Sequence, residues 1–128
     1  MKLLLDTHAF LWFIGGDASL SSTARALTED TANQPFLSIA SLWEMAIKLS
    51  IGKLSLGQPF ETLIPAQMSL NGIDLLSIVL PHVVKVAQLP FYHRDPFDRL
   101  LIAQAAVEQM SIISGDSAFD AYPISRLW

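Results

Sequence analysis

The chain opens Lys2-Leu3-Leu4-Leu5-Asp6-Thr7-His8-Ala9-Phe10 and stays apolar through Leu11-Trp12-Phe13-Ile14 until Gly15-Gly16 stops it. A short apolar run that ends at an acid predicts a strand over Lys2 to Leu5. The apolar stretch beyond the acid predicts a helix over Thr7 to Ile14. The same alternation continues outward. Ser21 to Thr31 reads as a second, more polar helix, Pro35 to Ile39 as a strand, and Ser41 to Ile51 as a helix ended by Gly52. The turn-rich Gly57-Gln58-Pro59 precedes a helix reaching about Leu70, closed by Asn71-Gly72, and Ile73 to Val79 reads as a third strand. Pro81 opens the next helix in its first turn and Pro90 closes it. His93-Arg94 sits in a loop, and Pro96 opens a long helix through Gln109. Ser111 to Ser114 reads as a strand, Gly115-Asp116 as a turn, and Ile124 to Leu127 as a last strand.

Strands alternating with helices imply right-handed βαβ units, hence an α/β fold with a mostly parallel sheet covered by helices on both faces. Composition agrees: 52% of the residues are hydrophobic and only 16% charged, so most elements must be buried on more than one side. A length of 128 residues is the usual size of one domain, and no repeat or linker divides 1–128. Mean hydropathy is high at +0.41, yet every apolar run is broken well before the roughly 20 residues that span a bilayer. No membrane segment is expected. The N-terminus meets Asp6 too early for the apolar core of a secretory signal, so a cytoplasmic location is expected. With no cysteine, disulfides and thiolate metal sites are excluded, leaving His, Asp and Glu as strong ligands.

Net charge is −4, the opposite of the basic footprint of a protein that holds nucleic acid electrostatically. A nucleic-acid partner therefore requires the acids to be gathered in one metal-neutralised pocket, leaving Lys48, Lys53, Arg94 and Arg99 to meet phosphates.

In a parallel sheet, ligands bind at the carboxyl ends of the strands, and crossover helices start on that same rim. Four acids fall there: Asp6 after the first strand, Glu44 in the first turn of the third helix, Asp98 in the first turn of the Pro96 helix, and Asp116 after Ser111 to Ser114. Each has an ordinary structural explanation. Asp6 fits a helix N-cap, Ser41 to Glu44 fits a capping box, and Glu44 also precedes Lys48 by four residues. Asp98 suits the positive end of a helix dipole, and Asp116 an Asx-turn. Together, however, four carboxylates on one rim repel one another unless protonated or neutralised. A hard divalent ion such as Mg2+ or Mn2+ is the natural partner of an all-oxygen set. Asp98 stands out further, since it and Arg99 are the only charges between Phe97 and Val107.

Other chemistries lack support. His8, His82 and His93 have no zinc-type spacing and are read as surface or loop residues. Trp12, Trp43 and Trp128 are read as core or interface aromatics, since none lies in a basic aromatic cluster. There is no P-loop, no GxGxxG and no GxSxG elbow.

Five stretches, taken in order, resemble one family: Leu4-Leu5-Asp6-Thr7-His8, Trp43-Glu44-Met45-Ala46-Ile47-Lys48, Gly52-Lys53-Leu54, Asp95-Pro96-Phe97-Asp98-Arg99-Leu100-Leu101-Ile102-Ala103-Gln104-Ala105, and Ser114-Gly115-Asp116. They are similar to PIN-domain proteins, specifically the VapC-type toxins of bacterial and archaeal toxin-antitoxin pairs, over essentially the whole chain. The resemblance implies a PIN-like three-layer α/β/α sandwich with about five strands and an acidic pocket at their carboxyl ends. It places Asp6, Glu44, Asp98 and Asp116 on the family's four acidic positions and Thr7 and Ser114 on its hydroxyl positions, with Asp95 an extra acid of this subgroup. It further implies an endoribonuclease that uses Mg2+ or Mn2+ to cut single-stranded RNA, a homodimer, and a small cognate antitoxin as partner. Trp12, Phe13 and Trp43 are then candidate interface aromatics. The competing reading is a non-catalytic α/β module with an acidic pocket, either a phosphorylatable receiver or a partner-binding domain. A receiver wants an acidic pair near the first strand and a late-strand lysine, whereas Asp6 stands alone and the last lysine is Lys85.

Overall fold

The computed structural model describes all 128 residues. In chain order the elements are β1 (Lys2–Leu5), α1 (Thr7–Gly15), α2 (Ser22–Glu29), β2 (Gln34–Ser38), α3 (Ile39–Ser50), α4 (Phe60–Leu70), β3 (Asp74–Leu76), α5 (Leu80–Gln88), α6 (Pro96–Glu108), β4 (Ser111–Ile113) and β5 (Arg126–Leu127), with a 3₁₀ turn over Ser117–Ala121. The five strands lie in the order β3-β2-β1-β4-β5, and every neighbouring pair is parallel.

Period-two alternation along the central strand builds both cores. Leu3 and Leu5 face a cluster with Phe10, Leu37, Met45 and Ile113, while Leu4 faces a second cluster with Leu101, Ile102, Ile112 and Phe119. Successive side chains of a strand point to opposite faces, so these two clusters are the two sides of a three-layer α/β/α sandwich. All three leucines are fully buried, which is why β1 reads as an unbroken apolar run instead of an alternating one.

Register then sets the rim. Leu5 pairs with Leu37 on one side and Ile113 on the other, so the residues that follow, Asp6, Ser38 and Ser114, emerge side by side. A buried polar network fixes α6 against this edge. The Ser38 hydroxyl donates to Gln104 Oε1 at 2.6 Å, and Gln104 Nε2 lies 3.4 Å from the Ser77 carbonyl and 3.3 Å from His82 Nδ1. His82, fully buried, reaches Glu108 with its other nitrogen at 2.9 Å. His82 is therefore a core residue of the α5–α6 contact, and the surface role expected of it is wrong.

Two boundaries differ from expectation for physical reasons. The helix expected from Ser41 starts at Ile39, because the Ser38 hydroxyl accepts from the Ala40 N–H at 3.0 Å and caps it two residues earlier. Ser41 lies inside α3 with its hydroxyl buried and unpaired, so the capping box with Glu44 does not form. The strand expected over Ile73 to Val79 is only three residues long. It is an edge strand, and its one partner, β2, ends at Ser38 opposite Leu76.

Candidate active site

Asp6 leaves β1 and caps α1, accepting the Ala9 N–H at 2.7 Å. It is 8% exposed. Burial pushes its carboxyl up, against hydrogen bonds from Ser114 and the Ala9 backbone that pull it down. Thr7, next in the chain, donates its hydroxyl to Glu44 Oε1 at 2.6 Å. The other Glu44 oxygen lies 3.2 Å from Lys48 Nζ, one turn along α3. Because α3 starts early, Glu44 stands in its second turn, not its first, and faces the α1 end of the rim.

The N-terminus of α6 supplies two more acids. Asp95 is the N-cap before Pro96, and its Oδ1 accepts from Phe97 N at 2.8 Å and Asp98 N at 3.0 Å. Asp98, at the third helical position, has its carboxyl pushed up to about 7. Burial is the main cause, followed by the negative charge of Asp95, with Glu44 and Asp6 adding to it and only His93 opposing. Asp116 follows β4; its N–H donates to Ser114 Oγ at 3.0 Å, and its Oδ1 accepts from Ala118 N at 2.9 Å.

These side chains meet in one hollow of about 160 Å³, where Asp6, Glu44, Asp95, Asp98 and Asp116 surround the single lysine Lys48. The ordinary roles of the acids prove to be compatible with a site. Asp95 and Asp116 each give only Oδ1 to the backbone, so the cap holds the carboxylate in place without using it up. Five carboxylates against one ammonium leave an excess of negative charge, which adds to burial in pushing the Asp98 carboxyl up. An all-oxygen donor set with such an excess fits a hard divalent cation.

His93 belongs here although no spacing rule pointed to it. Its Nε2 lies 3.0 Å from Asp98 Oδ2, and it shares with Asp98 and Asp116 a cluster whose ligating atoms fall within 4.8 Å of one another. Nδ1 accepts from the Asp95 N–H at 3.3 Å, which places the ring proton on Nε2. Nε2 is buried without an aligned hydrogen bond, so its closeness to Asp98 acts as a positive dipole beside the carboxylate. The only hint of His93 in the sequence was its place two residues before a capping aspartate.

Of the basic residues expected to meet phosphates, Lys48 lines the hollow, and Lys53 and Arg94 are exposed on the turn after α3 and the loop before α6. Arg99 requires correction. It is 7% exposed, stacks over Phe91 at 4.3 Å, and donates to Val86 O at 3.1 Å and Pro90 O at 3.0 Å. It also reaches the Tyr122 hydroxyl at 3.3 Å. That hydroxyl accepts from Tyr92 N and His93 N at 3.1 and 3.0 Å and donates to Pro90 O at 2.8 Å. One position past Asp98, the helix has turned by about 100°, so Arg99 points into the protein and staples the loop that carries His93. Phe13 is likewise a core residue at 8% exposure and presents no interface, whereas Trp43 is 58% exposed and packs edge-on against Phe97.

Comparison with known proteins supports the same architecture. The chain is similar to a chain of the Rickettsia felis VapBC2 complex bound to a promoter DNA fragment, with TM-score 0.74, 13% identity, and 99% of this chain and 98% of that one covered. It is also similar to the DNA-bound VapBC of Salmonella typhimurium, with TM-score 0.70, 16% identity, and 99% and 97% covered. At these identities the likeness is one of fold. In sequence it is 35% identical to ribonuclease VapC16 of Mycobacterium tuberculosis over 65 residues, 51% of this chain and 46% of that protein, so the match spans about half of the relative's length. The sequence model of the PIN domain matches residues 3–124, which takes in four of the five strands and all of the acids on the rim. The chain belongs to the PIN domain family.

Proposed function

We propose that this chain is a single PIN domain acting in the cytoplasm as a metal-dependent endoribonuclease that cleaves single-stranded RNA. The observation that carries the reading is the crowding of Asp6, Glu44, Asp95, Asp98 and Asp116 around one lysine, with Asp98 pushed up to about 7. Such repulsion is retained in a fold when a bound cation relieves it. Asp6 and Asp98 would hold Mg2+ or Mn2+, with Glu44 and Asp116 completing the ligand set. When bound, the ion supplies an activated water for in-line attack on a phosphodiester and a counter-charge for the departing oxygen.

The protein's own groups do the rest. Thr7 fixes one oxygen of Glu44, and Ser114 orients both the Asp6 carboxylate and the backbone of Asp116. Lys48 pairs with the other Glu44 oxygen and holds it in place. His93, clamped by Tyr122 and Arg99, favours the ionised form of Asp98. Exposed Lys53 and Arg94 are the cations left to meet flanking phosphates. The name of the relative, ribonuclease VapC16, and the VapBC complexes among the structural neighbours support a toxin role with a small antitoxin as partner, and a homodimeric toxin is part of the same proposal.

The test is cleavage of an unstructured RNA by protein stripped of metal. Activity is expected only when Mn2+ or Mg2+ is returned, with a duplex of the same sequence spared. Undiminished cleavage in excess EDTA would sink the reading. Expression of the chain alone should arrest growth and leave discrete new RNA ends, and co-expression of the antitoxin should prevent both.

A further inference from the structure

Beside the acidic hollow lies a second one of about 340 Å³, walled by His8, Trp12, Ser19, Gly115 and Trp128, which shares Asp6, His8 and Asp116 with its neighbour. His8 and Trp12 stand one turn apart on the same face of α1 and stack at 5.6 Å with an interplanar angle of 29°. Trp128 tilts against Trp12 at 6.0 Å. Both indoles pack on the core and also line the hollow, so their edges are anchored while part of each ring is available.

Gly115 makes this arrangement possible. A Cβ at that position would come within 3.0 Å of the Trp128 ring, so any larger residue would push the indole off the loop that carries Ser114 and Asp116. No lysine or arginine lines the hollow, which excludes it as a phosphate seat. Its volume is at the small end of ligand sites. Flat aromatic walls, a serine at the edge and no lysine or arginine match a planar heterocycle.

We propose that this hollow is a subsite for one unpaired nucleobase of the RNA whose neighbouring phosphate lies in the acidic hollow. The inference rests on the nuclease reading and deepens it. A base already paired and stacked within a duplex cannot enter, so the subsite gives a physical reason for acting on single strands. Base-on-aromatic stacking tolerates every base, and the edge near Ser19 supplies whatever base preference exists.

Two measurements on the full chain test it. In a Trp43→Phe protein the remaining tryptophans, Trp12 and Trp128, both line the hollow. Titration with a short single-stranded oligoribonucleotide should quench their emission, and an abasic oligonucleotide of the same length should not. Equal quenching by the two, or none by either, overturns the proposal even if the protein proves to be no nuclease. In cleavage assays, Trp12→Ala should raise KM about tenfold, with Mn2+ affinity by calorimetry unchanged, and Trp12→Phe should recover most of the loss. The same Trp12→Ala change should cost nothing on RNA lacking the base at the contacted nucleotide. If Trp12→Ala and Trp128→Ala both fold and keep the wild-type KM on base-bearing RNA, the subsite is refuted while metal-dependent cleavage stands.

Discussion

Asp98 and Arg99 are neighbours in the first turn of one helix, and the protein treats their charges in opposite ways. Arg99 is a buried cation whose guanidinium is matched by carbonyl oxygens and the Tyr122 hydroxyl. Asp98 is a half-buried anion placed among other anions, with its carboxyl pushed up to about 7. A buried charge with all its partners supplied is structure; a buried charge whose neighbours share its sign is held ready for something not yet present. That distinction separates the site from the scaffold more reliably than residue type does, since both residues sit within one motif and both are ionisable.

The comparison is broken most sharply by removing the unmatched charge. Asp98→Asn keeps the shape of the side chain and loses the anionic ligand, so cleavage at saturating Mn2+ should fall by orders of magnitude. Metal-free melting temperature should hold or rise, because one source of carboxylate repulsion is gone. Wild-type cleavage by a folded Asp98→Asn protein would remove Asp98 from the proposed ligand set.

Removing the matched charge should do the reverse. Arg99→Met fills similar space but removes the donor shared by the carbonyls of Val86, Leu89, Pro90 and His93, and a broken buried polar network of this kind costs about 3 kcal/mol. Arg99→Lys should not rescue it, since an ammonium cannot span the same fork of acceptors. Chemical denaturation measures the loss. Stability within about 0.5 kcal/mol of wild type would mean that the staple contributes little.

Asp98 also predicts a pH dependence whose sign is unusual for an aspartate. Asp98 has a higher pKa in the folded state than the ordinary carboxyl value of 3.8, and its buried position is the first cause. The unfolded chain therefore releases this proton more readily than the folded one. The contribution to stability is fully present below the ordinary carboxyl range and lost as pH rises through about 7. Asp6, raised by burial, acts in the same direction. Metal-free protein should melt at a lower temperature at pH 8 than at pH 5.5, Mn2+ should restore the difference, and Asp98→Asn should flatten the profile. Thermal melts with and without metal decide it, and a metal-free protein more stable at pH 8 would contradict the assigned cause.

Much of this was legible in the sequence, and what was not has specific causes. The unbroken apolar run of β1 and the strand-helix alternation determine the sheet, and the rim acids follow from the rule that ligands meet the carboxyl ends of parallel strands. The cap and turn explanations of Asp6 and Asp116 were correct, that of Glu44 was not, and neither cap competes with a site, because it occupies one oxygen. Ser38 and Ser41 are equally good caps by type; only the end of the β2 ladder selects Ser38 and thereby moves Glu44 into the second turn. Arg99 was misread because periodicity in so apolar a helix does not reveal which way a lone cation points. His93 escaped notice because its place beside Asp98 depends on a loop stapled by Tyr122, far away in the sequence.

The smallest expected effect tests the pair of acids that flank Pro96. Asp95 performs the cap, accepting two backbone N–H groups with one oxygen, and its charge is the second cause of the raised Asp98 carboxyl. These two contributions can be separated because asparagine caps a helix as well as aspartate does, and alanine does not. Asp95→Ala should therefore cost about 1 kcal/mol of stability, while Asp95→Asn should cost almost none. Both remove the same charge, so both should lower the Asp98 pKa and make the metal-free protein less sensitive to pH between 5.5 and 8, with substantial cleavage retained below the melting range. The two variants should thus differ in stability and agree in the pH profile. If Asp95→Asn is folded and inactive while Asp98→Asn cleaves like wild type, the roles of the two acids are reversed: the cap is the ligand, and the carboxylate one turn further in is the support.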